Sequence, residues 1–185
     1  MRIISGTAKS LKLKTMKGDN TRPTTDRIKE TLFNMISMDI PGCHFLDLFA
    51  GSGGIGIEAL SRGAKEAYFV EKNRQAASCI AYNLKFTHLD DRGHLCKMDV
   101  FAAITQLAGE GRSFDMIFMD PPYGHNLERD VLLALDGTRL VGEQTTIIVE
   151  SDLQTTYDCL SNTEFEVYKT KEYKTNKHTF IRVRR

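Results

Sequence analysis

The chain has 185 residues, of which 41% are hydrophobic and 26% are charged, so it can form one folded domain with an apolar core. No apolar run approaches the roughly 20 residues of a membrane-spanning helix, and the N-terminus lacks the apolar stretch of a secretory signal. We therefore expect a cytoplasmic protein with a single domain over residues 1–185. Its four cysteines are widely spaced and predict free thiols rather than a metal site.

Basic residues are concentrated at the two ends of the chain. Residues 1–30 carry eight Lys or Arg against three acidic residues, and residues 169–185 carry seven against one. Because the formal net charge is only +1, the middle of the chain has an acidic excess. A polyanion would be attracted to the ends and repelled by the middle, which favours nucleic-acid binding, although ordinary solvated lysines would give the same pattern.

The first elements in chain order are a basic arm and a helix. Residues 1–20 form the arm, and the alternation over 2–15 predicts a short β-hairpin or an extended segment. Thr24 or Thr25 is expected to cap the helix, with Asp26 at the positive end of its dipole. Apolar residues at helical spacing then define its buried face: Ile28, Leu32, Met35 and Ile36.

From residue 44 onward, apolar strands alternate with amphipathic helices. Strands are predicted at 44–49, 67–71, 94–98, 114–119, 145–150, 165–169 and 178–183. Helices are predicted at 55–60, 73–86, 100–108 and 126–136. The alternation is typical of an α/β, Rossmann-like fold, with a mostly parallel sheet and helices on both faces. The last two strands have no helix between them and therefore predict an antiparallel C-terminal hairpin at the sheet edge.

A glycine-rich loop joins the first strand to its helix, where Gly51, Gly53 and Gly56 fit the pattern G-x-G-x-x-G. Glu71 ends the second strand and can accept from two ribose hydroxyls. Dinucleotides and S-adenosylmethionine both carry that ribose, so this pattern leaves both cofactors open. Asp47 favours the second, because a carboxylate would repel a pyrophosphate but attract an ammonium or a sulfonium group.

Two further strand ends carry polar groups. Asp99 follows the third strand, where it could meet a cofactor's adenine amino group, cap the next helix, or do both. The fourth strand ends in Asp120-Pro121-Pro122-Tyr123, whose prolines make a stiff turn with free carbonyls. The Asp120 carboxylate and the Pro121 carbonyl can both accept from one amine, and Tyr123 can stack on a base.

The Asp-Pro-Pro-Tyr turn suits methylation of an exocyclic amine on a base. The nitrogen lone pair of such an amine is delocalised into the ring, so two acceptors are needed to hold it and aim it at a methyl group. A sulfonium supplies that methyl group without a metal or a covalent nucleophile. Asp120 also stabilises the positive charge that develops on nitrogen, and the base must be unpaired or flipped to enter the pocket. A rigid turn with an aromatic residue at the core edge is the purely structural alternative.

Taken together, these motifs resemble the class I amino-methyltransferases, and specifically the RsmD-type small-subunit ribosomal RNA guanine-N2 methyltransferases. The resemblance covers essentially the whole chain and is carried by residues 21–34, 47–64, 70–72 and 120–123. It implies a seven-stranded sheet, S-adenosylmethionine as the cofactor and a guanine of small-subunit rRNA as the target. In such families the segment from Arg22 to Thr25 contacts the methionine carboxylate of the cofactor, in agreement with Arg22 and helix amides as anion donors.

The predicted site residues follow from these motifs and from the resemblance. Catalysis is assigned to Asp120, Pro121 and Tyr123. Cofactor binding is assigned to Arg22, Thr24, Asp47, Ala50, Gly51, Gly53, Glu71, Lys72, Asp99 and Asp120. RNA contacts are assigned to lysines of both basic ends: Lys9, Lys12, Lys14 and Lys17 on the arm, and Lys171, Lys174 and Lys177 on the hairpin.

Three other functions stay open on the sequence. A DNA adenine-N6 methyltransferase would use the same Asp-Pro-Pro-Tyr pocket, although a sequence-specific DNA enzyme usually carries added recognition surface. A non-catalytic RNA-binding or assembly module is disfavoured by the intact Asp120 and Tyr123. A nucleotide-dependent oxidoreductase is disfavoured by Asp47 and by the Asp-Pro-Pro-Tyr motif. We expect a monomer whose substrate is either naked rRNA or the small ribosomal subunit.

Overall fold

The computed structural model describes residues 1–16, 26–122 and 126–184. Within these ranges seven strands form one sheet: β1 His44–Asp47, β2 Glu66–Val70, β3 Gly93–Cys96, β4 Phe114–Met119, β5 Val141–Asp152, β6 Phe165–Glu172 and β7 Asn176–Val183. Five α-helices accompany them: α1 Asp26–Met35, α2 Gly54–Ser61, α3 Arg74–Phe86, α4 Val100–Gly109 and α5 Leu127–Leu135. A short 3₁₀ helix, Asp158–Asn162, precedes β6. Across the described part of the chain, no helix has the length and apolar character needed to cross a membrane.

The strand order is β3-β2-β1-β4-β5-β7-β6. Strands β1 to β5 run parallel, and β7 is antiparallel to both β5 and β6, which confirms the predicted C-terminal hairpin. The strand order reverses at β1, which lies between β2 and β4. Open α/β sheets bind ligands outside the carboxyl ends of the strands at such a switch point. The fold therefore places the ends of β1, β2 and β4 around one crevice.

Alternate side chains of each strand enter two separate cores, because successive residues of a strand face opposite sides of the sheet. Phe45 and Phe69 enter the core that α1, α2 and α3 cover. Leu46 and Tyr68 enter the opposite core, beneath α4 and α5. Helices thus lie on both faces, as the sequence predicts.

Helix α1 differs from its predicted buried face. Leu32 and Ile36 are buried as expected, whereas Ile28 and Met35 are only partly buried. Lys29 is fully buried instead. Hydrophobic periodicity missed it because a lysine counts as polar, although a buried ion pair can hold one inside a protein.

The buried partner of Lys29 is Glu58 on α2, whose carboxylate lies 3.0 Å from the Lys29 ammonium. The same carboxylate accepts from the amides of Ile4 at 2.8 Å and Ser5 at 3.0 Å, and pairs with Arg62 Nε at 2.8 Å. Burial lowers the pKa of Lys29, and the charge of Glu58 opposes this shift. Glu58 therefore ties the N-terminal arm to both α1 and α2.

The described part of the arm, residues 1–16, packs on the α1–α3 side of the sheet. Arg2 and Lys12 form an antiparallel bridge, and turns rather than regular strands lie between them. Ile3 and Leu13 are buried in the core below. Apolar side chains thus fix an irregular segment that the sequence describes only as a hairpin or an extended arm.

Several element bounds also differ from their predictions. Strand β5 begins at Val141 rather than at 145, because residues 142–144 are exposed and give no apolar pattern. Strand β1 ends at Asp47, since the chain turns into the glycine loop there. Strand β6 extends to Glu172, and strand β7 begins at Asn176. Most of the basic stretch that is expected between the two strands therefore belongs to the strands themselves.

Candidate active site

Four carboxylates lie in a row at the carboxyl edge of the sheet. Asp47 ends β1, Glu71 follows β2, Asp120 follows β4, and Glu150 lies near the end of β5. Each stands two positions after a buried apolar residue of the α1–α3 core, so all four belong to the same face of the sheet. We call this group the carboxylate strip. Its charge favours a cationic ligand over a phosphate.

Asp47 is almost fully buried, with 1% of its surface exposed. Its Oδ2 accepts from the amide of Gly56 at 3.3 Å, whereas its Oδ1 has no hydrogen-bond partner among the described residues. Burial raises the pKa of Asp47 to about 7, and the charge of Glu71 adds to the shift, while backbone amides oppose it. A buried carboxylate with an unused acceptor suits a ligand that brings a positive donor.

Glu71 connects the glycine loop to the start of α3. Its Oε2 accepts from the amide of Gly51 at 2.9 Å, and its Oε1 accepts from the amide of Asn73 at 2.7 Å. Gly51 has φ of +54°, and no described atom would lie within 4 Å of a Cβ built there. The loop thus leaves room for a ligand to approach its backbone beside the Glu71 carboxylate.

Gly56, in the first turn of α2, allows close packing between that helix and the sheet. A Cβ built on Gly56 would lie 2.3 Å from Cε1 of Phe69 on β2. The absence of a side chain therefore lets α2 approach the sheet closely, which fixes the glycine loop over the end of β1.

The remaining cofactor assignments fall at the same edge of the sheet. The amide of Ala50 donates to the carbonyl of Val70 at 3.0 Å, where the glycine loop crosses the end of β2. Lys72 is exposed just beyond Glu71. Asp99 is exposed and caps α4 by accepting from the amide of Phe101 at 3.0 Å. The helix-cap prediction is confirmed, and a contact with adenine stays a prediction.

Asp120 is half-buried at the end of β4. Burial raises the pKa of its carboxyl well above the usual range, and the nearby charges of Glu150 and Asp47 add to this effect. Pro121 is buried and Pro122 is exposed. The described residues do not include four predicted site residues, Arg22, Thr24, Tyr123 and Lys17, or the candidate helix cap Thr25.

Sequence reasoning missed a buried polar network beside Asp120. Glu150 Oε1 accepts from Asn176 Nδ2 at 2.6 Å, and Glu150 Oε2 lies 3.1 Å from His178 Nε2. The other ring nitrogen, His178 Nδ1, lies 3.0 Å from the hydroxyl of Tyr173. The available signal is an acidic residue at the end of the apolar β5 run, and a continuous run of polar residues, 176–179, at the start of β7. Such a bonded network holds Glu150 rigidly next to the catalytic candidate.

The basic residues assigned to RNA fall into two groups. Lys9, Lys12 and Lys14 are exposed on the arm, on the α1–α3 side. Lys171 and Lys174 are exposed around the β6–β7 turn, which lies beyond the end of β5. Lys177 is partly buried, and its ammonium donates to the carbonyls of Leu153 at 3.1 Å and Thr155 at 2.7 Å. Lys177 therefore mainly stabilises the segment that follows β5.

Within the described ranges, no group of three or more His, Cys, Asp or Glu side chains is arranged to hold a metal ion. All four cysteines are free thiols, as predicted. Burial raises the pKa of Cys43 to about 12, so this thiol stays protonated at neutral pH.

Comparison with known proteins gives a family match over almost the whole chain. The model of the family described as "Conserved hypothetical protein 95" matches residues 1–182. The Bacillus subtilis (strain 168) protein named "Putative rRNA methyltransferase YlbH" is 41% identical over 152 residues, which cover 82% of this chain and 83% of that protein. The Escherichia coli (strain K12) protein named "Ribosomal RNA small subunit methyltransferase D" is 33% identical over 154 residues, which cover 83% of this chain and 76% of that protein.

A solved structure titled "Putative methyltransferase yhhF from Escherichia coli" superposes with a TM-score of 0.87 at 28% identity. The alignment covers 99% of this chain and 97% of that one. The fold is therefore the Rossmann-like class I methyltransferase fold that the sequence predicts.

Proposed function

This chain belongs to the family described as "Conserved hypothetical protein 95", and we propose that it is an S-adenosylmethionine-dependent methyltransferase of small-subunit ribosomal RNA. Its target is the exocyclic N2 amine of a guanine. The observation that carries the proposal is the carboxylate strip, in which the half-buried Asp120 begins the Asp-Pro-Pro-Tyr turn. The names of the two rRNA methyltransferase relatives support the RNA class, and the motif resemblance supports the guanine N2 position.

The cofactor assignment rests on the chemistry of the strip and of the glycine loop. When bound, S-adenosylmethionine supplies an electrophilic methyl group on a sulfonium. The unused Oδ1 of Asp47 attracts the positive end of the cofactor, and Glu71 accepts from the ribose hydroxyls. Further contacts come from Lys72, Asp99 and the backbone of Ala50, Gly51 and Gly53, with Arg22 and Thr24 at the methionine carboxylate.

Asp120 and Pro121 act on the base. The Asp120 carboxylate and the Pro121 carbonyl accept from one NH₂ group, which fixes the direction of the nitrogen lone pair. Asp120 also stabilises the positive charge on nitrogen and takes the proton that the methylated nitrogen must lose. The raised pKa of Asp120 suits this second task, because the carboxyl then holds the proton readily. Tyr123 stacks on the flipped base.

RNA is held outside the pocket by the basic ends of the chain. Lys9, Lys12 and Lys14 on the arm, with Lys171 and Lys174 at the β6–β7 turn, are exposed and available to phosphates. The partly buried Lys177 contributes mainly by bonding the start of β7 to the chain after β5. We further propose a cytoplasmic monomer, with residues 1–185 as one methyltransferase domain and residues 1–20 as its arm, that acts on rRNA or on the small subunit.

The substrate class is tested with S-adenosylmethionine labelled on its methyl group. The wild-type protein is incubated with unmethylated small ribosomal subunits, with free small-subunit rRNA and with adenine-containing DNA, and the nucleosides are then separated. Label in N2-methylguanosine is the expected result. Label in N6-methyladenine of DNA would support methylation of an exocyclic amine in this pocket but would refute rRNA as the substrate. No label in any of the three would reject the proposed function.

A further inference from the structure

Helix α3 carries a pair of stacked aromatic rings on its outer surface. Tyr82 and Phe86 lie about one helical turn apart and are 51% and 41% exposed. Their ring centroids are 6.0 Å apart, with an interplanar angle of 11°. The ammonium of Lys14, from the arm, lies 5.2 Å from the centre of the Tyr82 ring. Two large rings and a cation thus share one water-exposed surface, which we call the α3 platform.

The α3 platform is rigidly connected to the glycine loop. Asn83, next to Tyr82 in the chain, is fully buried. Its Oδ1 accepts from the amide of Lys14 at 2.8 Å, and its Nδ2 donates to the carbonyls of Lys14 and of Ser52, each at 2.9 Å. Ser52 belongs to the glycine loop beside Gly51. One side chain therefore holds the platform, the arm and the proposed cofactor loop together.

The two segments that form the platform carry basic and no acidic residues, in contrast to the carboxylate strip. Helix α3 contains Arg74 and Lys85 and no acidic residue. Residues 1–16, which pack beside it, contain four Lys or Arg and no acidic residue. Exposed aromatic rings among cations are the combination that binds single-stranded nucleic acid, since bases stack on the rings and phosphates pair with the cations.

We propose that the α3 platform stacks an unpaired base of the RNA substrate, with Lys14 and Lys85 at the adjoining phosphates. The substrate class rests on the proposed function. The platform lies on the outside of α3 rather than at the carboxyl edge of the sheet, so its occupant is a nucleotide near the methylated one and not the methylated base itself. Tyr82 and Phe86 are thus RNA-binding residues.

The chain contains no tryptophan, so a single substitution introduces a specific fluorescent reporter. The Y82W variant is titrated with a short single-stranded RNA oligonucleotide. Y168W is the matched control, because Tyr168 is 42% exposed and has the guanidinium of Arg182 5.1 Å from its ring centre. Tyr168 lines a cleft at the opposite edge of the sheet, with Asp115 and Thr146. We expect saturable quenching in Y82W and none in Y168W. No quenching in Y82W, or equal quenching in both, would overturn the proposal.

Steady-state methylation gives a second readout. Y82A should raise the KM for RNA by about 5- to 100-fold, the range typical of losing one base-stacking contact, with the loss falling on KM rather than on kcat. Y82F keeps the ring and should recover most of the affinity. An unchanged KM in Y82A, or a loss confined to kcat or to cofactor affinity, would contradict the proposal. A raised KM on intact subunits without oligonucleotide quenching would assign the platform to a protein partner instead. If no RNA is methylated at all, the proposed function fails, while the quenching test still decides the platform.

Discussion

Glu150 and His178 lie directly opposite each other on β5 and β7, with Glu150 Oε2 3.1 Å from His178 Nε2. Both side chains are buried; the hydroxyl of Tyr173 lies 3.0 Å from His178 Nδ1, and the amide of Asn176 donates to Glu150. The charge of Glu150 contributes to the raised pKa of Asp120. The antiparallel hairpin therefore stabilises the proposed catalytic edge of the sheet as well as closing its C-terminal side.

Removing His178 should destabilise the fold strongly. H178A removes one hydrogen-bond partner of the buried Glu150 side chain, and such a loss in a buried site costs about 1–3 kcal/mol in the free energy of unfolding. Urea unfolding measures the loss. H94A is the matched control, because the side chains of the His94–Glu66 pair, 3.3 Å apart, are 43% and 29% exposed, and a pair open to solvent in this way should contribute no more than about 1 kcal/mol. Equal losses in the two variants would refute a structural role for the buried pair.

Asp47 should reduce the stability of the ligand-free protein at neutral pH. Its folded-state pKa of about 7 lies above the ordinary value of 3.8, so the folded protein binds the proton more tightly than the unfolded chain. Stability from this group is therefore full below about pH 4 and falls as pH rises to about 7. The D47N variant should be more stable than wild type at pH 8, with a smaller difference at pH 5, in urea unfolding at both values. A D47N variant that is less stable at pH 8 would contradict this.

Cofactor binding should release protons near neutral pH. Asp47 is partly protonated at pH 7 in the free protein and must ionise to attract a cation, so binding should release part of a proton. Calorimetry in two buffers of different ionisation enthalpy measures the number of protons released per cofactor bound. The D120N variant removes the second carboxyl with a raised pKa. It should still release the fraction of a proton that comes from Asp47. Proton uptake on binding would show that Asp47 does not face the positive group.

Glu58 should control the attachment of the arm. In the E58A variant the amides of Ile4 and Ser5 lose their acceptor, and the buried Lys29 loses its charged partner. We expect faster amide hydrogen exchange at both residues and a loss of about 3–5 kcal/mol in the free energy of unfolding. E66A, at the partly exposed pair with His94, is the comparison and should leave the arm amides protected. Unchanged exchange at Ile4 and Ser5 in E58A would mean that other contacts hold the arm.

The sequence predicts those parts of the fold that depend on local patterns. Alternating strands and helices place Asp47 and Glu71 at strand ends, and both lie there. The role of Glu150 could not be predicted, because it depends on how β5 pairs with β7. That strand begins at Asn176, 26 residues after Glu150. Lys29 was missed for a related reason, since its burial depends on Glu58 from another helix.

The most direct test of the account compares two aspartates of strand β4 and the turn that follows it. Methyl transfer from labelled S-adenosylmethionine to unmethylated small subunits is measured for wild type, D120A and D115A. Asp115 is exposed near the start of β4, at the amino edge of the parallel strands. Among the described residues, its carboxylate forms side-chain hydrogen bonds only with His44. We predict label in N2-methylguanosine for wild type and D115A, and a rate at least about 100-fold lower for D120A. Equal transfer by D120A, or label in a different nucleoside, would contradict the account.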